Sequence, residues 1–191
     1  MTTAQLYDRL NDVDSSRENR LEHADLVLKD LDLIPKLIEI VFMVDDKISC
    51  KAAWVLEFVC NQNLKALLPY LDTFTENLSK VYFDSAVRPV AKICEMLAKA
   101  FYSKENNSVK SALEFQHKEK IIEYCFDIMI NDEKIAPKAY AMQTLFWLGK
   151  DFDWIHLELV QILERDFPNQ SAGFKARAKH LIKKIKSKSA T

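Results

Sequence analysis

Glycine is almost missing from this 191-residue chain, which holds only Gly149 and Gly173. A phosphate-binding loop or a dinucleotide fingerprint needs several glycines within a few residues, so that the backbone can turn sharply and close its N–H groups on phosphate. Both are excluded, and so is a serine nucleophile elbow. There is no uninterrupted apolar run of about 18 residues, the length a membrane helix requires. The opening MTTAQLYDRLNDVD has no basic stretch ahead of an apolar one, so no secretory leader is expected. His23, His117, His156 and His180 are scattered, without an H-E-x-x-H and without cysteine at ligand spacing, so neither a metal nor another cofactor is expected. Cys50, Cys60, Cys94 and Cys125 lie inside apolar stretches at no zinc-like spacing. They read as reduced core residues of a cytoplasmic protein.

What is present is ordinary globular composition with a net charge of −1, unlike the plainly basic balance of a general nucleic-acid binder. The charge is unevenly placed. Residues 1–32 hold eight acids and four bases, residues 33–171 hold 20 acids and 16 bases, and residues 172–191 hold seven bases and no acid.

Helical periodicity runs nearly end to end. LIPKLIEIVF places Leu33, Leu37, Ile40 and Val41 on one face, and AVRPVAKICEMLAKAF does the same with Val90, Ile93, Leu97 and Phe101. No alternating strand pattern competes, so the chain reads as all-α, with about ten helices. Asp14-Ser15-Ser16 ahead of Glu18 marks one helix start. Gly149 marks a helix end, and Asp153 is placed to cap the helix that follows. Pro35 and Pro69 are each expected in the first turn of a helix. The one long link is residues 103–111.

A repeat organises these helices. Lys51-Ala52-Ala53-Trp54, Arg88-Pro89-Val90-Ala91, Lys138-Ala139-Tyr140-Ala141 and Lys175-Ala176-Arg177-Ala178 each set a base and small residues ahead of an apolar helix. The bases are 37, 50 and 37 residues apart, and removing an insertion of 13 residues near 103–116 makes the spacing uniform. Six residues before the bases stand Asp45, Tyr82, Asp132 and Asn169. Repeats of this length indicate a solenoid.

The layout resembles the HEAT family of armadillo-like helical repeats over roughly residues 33–185. In that family the first helix of each pair often opens Leu-Leu-Pro, as in LIPKL and LLPYL here. An Asp in the turn precedes a Val-Arg-x-Ala-Ala start to the second helix. Unit two departs from the pattern with Tyr82 for the Asp and Pro89 for an Ala, and unit four with Asn169. The resemblance implies an α-α superhelix of about four helix pairs in one domain, with units near residues 33–62, 64–103, 117–148 and 153–187. Residues 1–32 are expected as a capping segment.

Several residues are candidates for a site. Lys51, Arg88, Lys138 and Lys175 are expected as a ladder along one edge. Each pairs with a turn carboxylate or with helix-end groups along the stack, or together they offer a strip for phosphate or acidic ligands. Glu57, the only charge between Ala52 and Cys60, reads as a structural partner of Arg88 or Lys51, or as a general base of raised pKa. Trp54, Trp147 and Trp154 fall at helical core positions, from which one could line a pocket. In the terminal segment Phe174, Ala178, Leu181, Ile182 and Ile185 share a face, opposite Lys179, Lys183, Lys184 and Lys186. That segment reads as a capping helix with a solvated outer side, or as a site for an anionic partner.

The functional expectation is a non-enzymatic interaction module or scaffold. It would bind a protein partner, acidic in character, on the surface formed by the second helices. No catalytic residues, membrane contact or cofactor are expected. The resemblance carries an alternative, since helical-repeat DNA glycosylases place a basic groove and aromatic residues around a carboxylate, as Trp54 stands near Glu57. Small chains of this kind also resemble proteins named for adenylosuccinate lyase. The S-S-x-M-x-x-K-x-N signature of that superfamily does not occur; the nearest stretch is Asp14-Ser15-Ser16-Arg17.

Overall fold

Apolar residues three and four apart do what their spacing predicts. Leu33, Leu37, Ile40 and Val41 are buried together, as are Val90, Ile93 and Leu97, while Phe101 at the end of that stripe is half-buried. The computed structural model describes residues 1–131 and 135–188, and every regular element among them is helical. The α-helices are α1 (Thr3–Leu10), α2 (Arg17–Lys29), α3 (Leu33–Val41), α4 (Ile48–Gln62), α5 (Leu71–Glu76), α6 (Asp84–Phe101), α7 (Val109–Ala112), α8 (Phe115–Ile130), α9 (Ile135–Leu148), α10 (Asp153–Asp166) and α11 (Ala172–Lys188). Asp132, one of the residues six before a base, lies outside the described residues.

The second helices form the spine of an all-α superhelix. α4 packs on α6, α6 on α9 and α9 on α11, while α2 covers α4 at the near end and α1 lies on α3. A helix held between neighbours must be apolar on more than one face. α4 accordingly buries ten of its fifteen residues. Ala52, Ala53, Ala91, Ala141 and Ala178 are fully buried, so their missing side chains set the close approach. Ala139 is only half-buried, and Ala176 is exposed because, among the described residues, no second helix packs beyond α11. Bonds between units keep the repeat spacing: Tyr82 donates to Asp45 at 3.1 Å and Gln62 to Asp25 at 2.8 Å, each across 37 residues.

The helix ends hold three departures from expectation. Ser16 caps α2, accepting from the Asn19 N–H at 3.2 Å, as its position suggests. Pro35 sits in the first turn of α3, but Pro69 does not open a helix. Lacking an N–H and restricting Leu68 before it, Pro69 ends a 3-10 stretch, Leu64–Tyr70, and α5 begins only at Leu71. Asp153 makes no cap bond; it is the first residue of α10, where its charge still favours the helix dipole. Gly149 follows α9 without a positive φ, so its role is not that of a left-handed cap. The His156 ring fills the space where a side chain would be, and His156 Nε2 donates to the Phe146 carbonyl at 3.0 Å. The link at 103–111 folds back on α6. Ser103 Oγ and Asn107 Nδ2 both donate to the Ala100 carbonyl at 2.9 Å, satisfying a helix-end acceptor.

A Cβ on Gly149 would lie 2.3 Å from the His156 ring. Gly149→Ala is expected to lower stability by about 1–3 kcal/mol, the range for forcing extra volume into a packed site. His156→Ala in the same chain should recover part of that loss in urea denaturation. Equal stability of Gly149→Ala and wild type would show that the ring moves freely.

Candidate functional site

Lys51, Arg88, Lys138 and Lys175 occupy the fourth or fifth residue of α4, α6, α9 and α11, so the repeat places them alike. Their bonds are not alike, which corrects the expectation of a base paired with a turn carboxylate in each unit. Lys51 Nζ donates to the Asn11 carbonyl at 2.7 Å, and Lys175 Nζ to the Pro168 carbonyl at 3.1 Å. Arg88 Nη2 donates to Glu57 at 2.6 Å. Lys138 is buried and lines a small cleft of about 220 Å³ with Asn131, Arg165 and Asp166. The turn acids are otherwise engaged. Asp46 accepts from Tyr7 at 2.6 Å and from the Ile48 N–H at 3.0 Å, fastening α1 to the start of α4, while Asp45 receives Tyr82.

A cleft of about 390 Å³ opens where the second helices begin. It is lined by Arg20 from α2, Trp54 from α4, Asp84, Ser85 and Arg88 from α6, and Ala136 and Pro137 from α9. Three successive second helices and α2 thus share one cleft, which makes that face concave here. Arg20 stands over the Trp54 indole, its Cζ 4.4 Å from a ring centroid. Beneath them Glu57 is buried against Arg88, whose side chain is 32% exposed. Burial pushes the Glu57 carboxyl above its ordinary value, and the Arg88, Arg20 and Lys92 charges pull against that rise. Burial, and then the neighbouring Arg88 charge, press the Arg20 guanidinium down.

The orientation of Trp54 follows from one proline. Pro89 stands inside α6 and has no N–H to give the carbonyl four residues earlier, that of Ser85. The Trp54 indole takes its place, donating Nε1–H to the Ser85 carbonyl at 2.7 Å. A backbone acceptor that the proline leaves without its helical donor is thus met from the preceding unit. On the other side of the indole a second cleft, about 500 Å³, is lined by Lys47, Cys50, Lys51, Tyr82 and Phe83, and shares Trp54, Asp84 and Ser85 with the first.

The structure therefore brings Trp54, Glu57 and Arg88 together and sets Lys51 in the adjoining cleft. Lys138 and Lys175 stand elsewhere, and Lys179 and Lys183 lie exposed on α11. Of the three tryptophans assigned to core positions, Trp54 and Trp147 are half-buried. Trp154, at the start of α10, is 51% exposed and stacks on Phe126 of α8. Three residues of this face were not foreseen: Arg20, and the pair Lys92 over Tyr140, 4.7 Å from nitrogen to ring centroid. Arg20 had a signal, since it stands 37 residues before Glu57. Among the described residues no group of His, Cys, Asp or Glu is placed to hold a metal. The four cysteines are free and buried, with burial pushing the Cys125 thiol up to about 12, so they offer no nucleophile near neutral pH. No helix among the described residues is long and apolar enough to cross a membrane.

Two outcomes are expected. Arg88→Met leaves Glu57 buried without its main partner and should cost about 2–4 kcal/mol at neutral pH. Because the folded-state pKa of Glu57 then lies further above its unfolded value, the folded chain binds the extra proton, and the loss should shrink as pH falls toward the ordinary carboxylate range. Glu57→Gln/Arg88→Met should be more stable than Arg88→Met; urea denaturation at two pH values measures both, and a double variant no better than the single one would refute the pairing. Separately, Pro89→Ala supplies an N–H that competes for the Ser85 carbonyl, so the Trp54 indole proton should exchange faster with solvent. An unchanged exchange rate would show that the proline does not set the indole bond.

Comparison with curated proteins and with solved structures finds no match. The HEAT repeat domain family matches residues 9–185, which takes in every second helix of the spine and the Arg20, Trp54, Glu57 and Arg88 of the cleft. HEAT repeats generally mediate protein–protein interaction. With the match covering nearly the whole chain and the superhelix built from stacked helix pairs, this protein belongs to the HEAT repeat domain family.

Proposed function

We propose that the chain is a cytoplasmic, non-enzymatic scaffold that holds a partner protein on the concave face of its second helices. The observation that carries this reading is the cleft itself: three successive second helices and α2 contribute to it, and its polar groups are fixed by bonds across units. In this reading residues 1–32 cap the stack and also supply Arg20. Solenoids bind in this way because stacking makes an extended inner surface that no single unit has.

A nucleic-acid ligand is the second reading, favoured by the cation–aromatic pairs at Arg20 with Trp54, Lys92 with Tyr140 and Lys150 with Trp147. Two features weigh against it. Glu57 is buried and bound to Arg88, so it is not presented as the carboxylate a base-excising site would need. One face of Trp54 is already covered by Arg20, and Glu57, Asp84 and Glu95 interrupt the positive charge along α4 and α6.

The test is to capture a partner from native extract, purify it and measure its binding to three forms of the chain. Lys92→Glu/Tyr140→Ala, on the concave face, should weaken binding by at least about tenfold, as loss of an interface anchor does. Leu157→Asp, exposed on α10, should leave it unchanged. The reverse pattern would move the interface to the outer helices. Micromolar binding of a duplex or single strand at physiological salt, abolished in Lys179→Glu/Lys183→Glu, would replace the protein reading with the nucleic-acid one.

A further inference from the structure

The cleft at the start of the second helices gathers cations whose N–H groups are only partly used. Arg20 donates through Nε to the Asp14 carbonyl at 3.3 Å, and no carboxylate is paired with it among the described residues. Arg88 engages Glu57 through one nitrogen of a guanidinium that has five N–H donors. The adjoining cleft adds Lys47 and Lys51, and Asp84 borders both. Among the described residues, Arg20, Arg88, Lys47 and Lys51 thus surround the Trp54 indole together with Glu57 and Asp84, while Asp14 acts on Arg20 and Asp45 accepts from Tyr82 of the second cleft.

These groups are also held in place, which distinguishes the cluster from solvated surface lysines. The indole below it and the Asp14 carbonyl at its Nε hold the Arg20 guanidinium in place, and its two terminal nitrogens carry further N–H donors. The indole is held by the Ser85 carbonyl, and Arg88 by a buried carboxylate. A guanidinium fork fixed in orientation matches the two oxygens of a carboxylate. Less side-chain freedom is then lost on binding than with mobile lysines.

We propose that this double cleft is a carboxylate clamp for an acidic segment of the partner protein. The segment lies across Trp54 with one Asp or Glu side chain between Arg20 and Arg88 and a second beside Lys47 and Lys51. This rests on the reading of the concave face as a protein-binding surface and names what that face recognises. Two features select a short run of carboxylates. A phosphate dianion would be brought against Glu57 and Asp84. The body of the chain, with 20 acids to 16 bases, repels a long polyanion.

An amide-detected NMR titration with an acetylated, amidated peptide of alternating glycine and glutamate tests the clamp. Its glutamine counterpart, inorganic phosphate and a short single-stranded oligonucleotide serve as the other probes. The glutamate peptide should move the Trp54 indole resonance saturably, and the glutamine peptide should not. Arg20→Gln and Arg20→Lys should each fold with an unchanged helical spectrum and weaken the peptide by at least about tenfold, as loss of a charge-assisted bidentate contact does. Lys179→Glu/Lys183→Glu, outside the cleft, should bind as wild type does. An unmoved indole, a shift confined to α11, or tighter binding of phosphate or the oligonucleotide than of the peptide would each overturn the clamp. If the clamp falls while Lys92→Glu/Tyr140→Ala still releases the captured partner, the concave-face reading stands without it. If that variant retains the partner, the concave-face reading falls with it.

Discussion

A helix packed between two neighbours cannot leave a charge or a backbone acceptor unmatched, and the second helices of this superhelix all stand under that constraint. Burying an unpaired carboxylate or a free carbonyl costs far more than one surface ion pair returns. Short side chains are met within their own unit, as Thr144 is by the Tyr140 carbonyl and Ser49 by the Asp46 carbonyl, whereas longer ones are met from the adjacent unit. Glu57 in α4 meets Arg88 in α6, and the Ser85 carbonyl in α6 meets Trp54 in α4. These contacts run in opposite directions between the same two helices and fix both their rotation and their register. The concave face inherits its geometry from this matching. A cleft lined by Arg20, Trp54 and Arg88 exists because the residues beneath it have only one arrangement that leaves nothing unpaired.

The same constraint separates what was legible in the sequence from what was not. Spacing carried the architecture, because a repeat that stacks must return its apolar residues and its small residues at a fixed interval. That is why the bases at 51, 88, 138 and 175 all fall in the first turns of second helices. Partners were legible only in part: Glu57 takes Arg88, one of the two bases its isolation in an apolar helix pointed to. Lys51 and Lys175 reach backbone carbonyls instead of the turn acids, since an ammonium on a long flexible stem accepts any oxygen within range. Gly149 was correctly read as a helix end, but for the wrong reason. Nothing in its local sequence says that a histidine seven residues later occupies the space above it.

Arg20 is the instructive omission. Residues 1–32 are acidic and lack the base followed by alanines that starts the later second helices, so composition sets them apart from the repeat. Packing does not set them apart, because α2 lies on α4 as α4 lies on α6. Counting back 37 residues from Glu57 reaches Arg20, and from Asp45 it reaches Asp8. The interval survives where the consensus residues do not, because register is demanded by the helices on either side, whereas identity at an exposed position is free to change.

Unit two carries this reasoning one step further. It departs from the pattern at Tyr82 and at Pro89, and each departure makes a bond that the usual residue could not make. Tyr82 reaches Asp45 in the preceding turn, where an Asp would face a like charge. Pro89 withdraws an N–H from the Ser85 carbonyl, which an Ala would have satisfied within the helix, and so opens a seat for the Trp54 indole. Both bonds tie unit two to unit one, and both border the clefts on either side of Trp54. A stack held only by consensus residues would be equally firm at every joint. Here the joint between the first two units is fastened by residues that weaken the match to the pattern, and that is where the face presents its fixed cations.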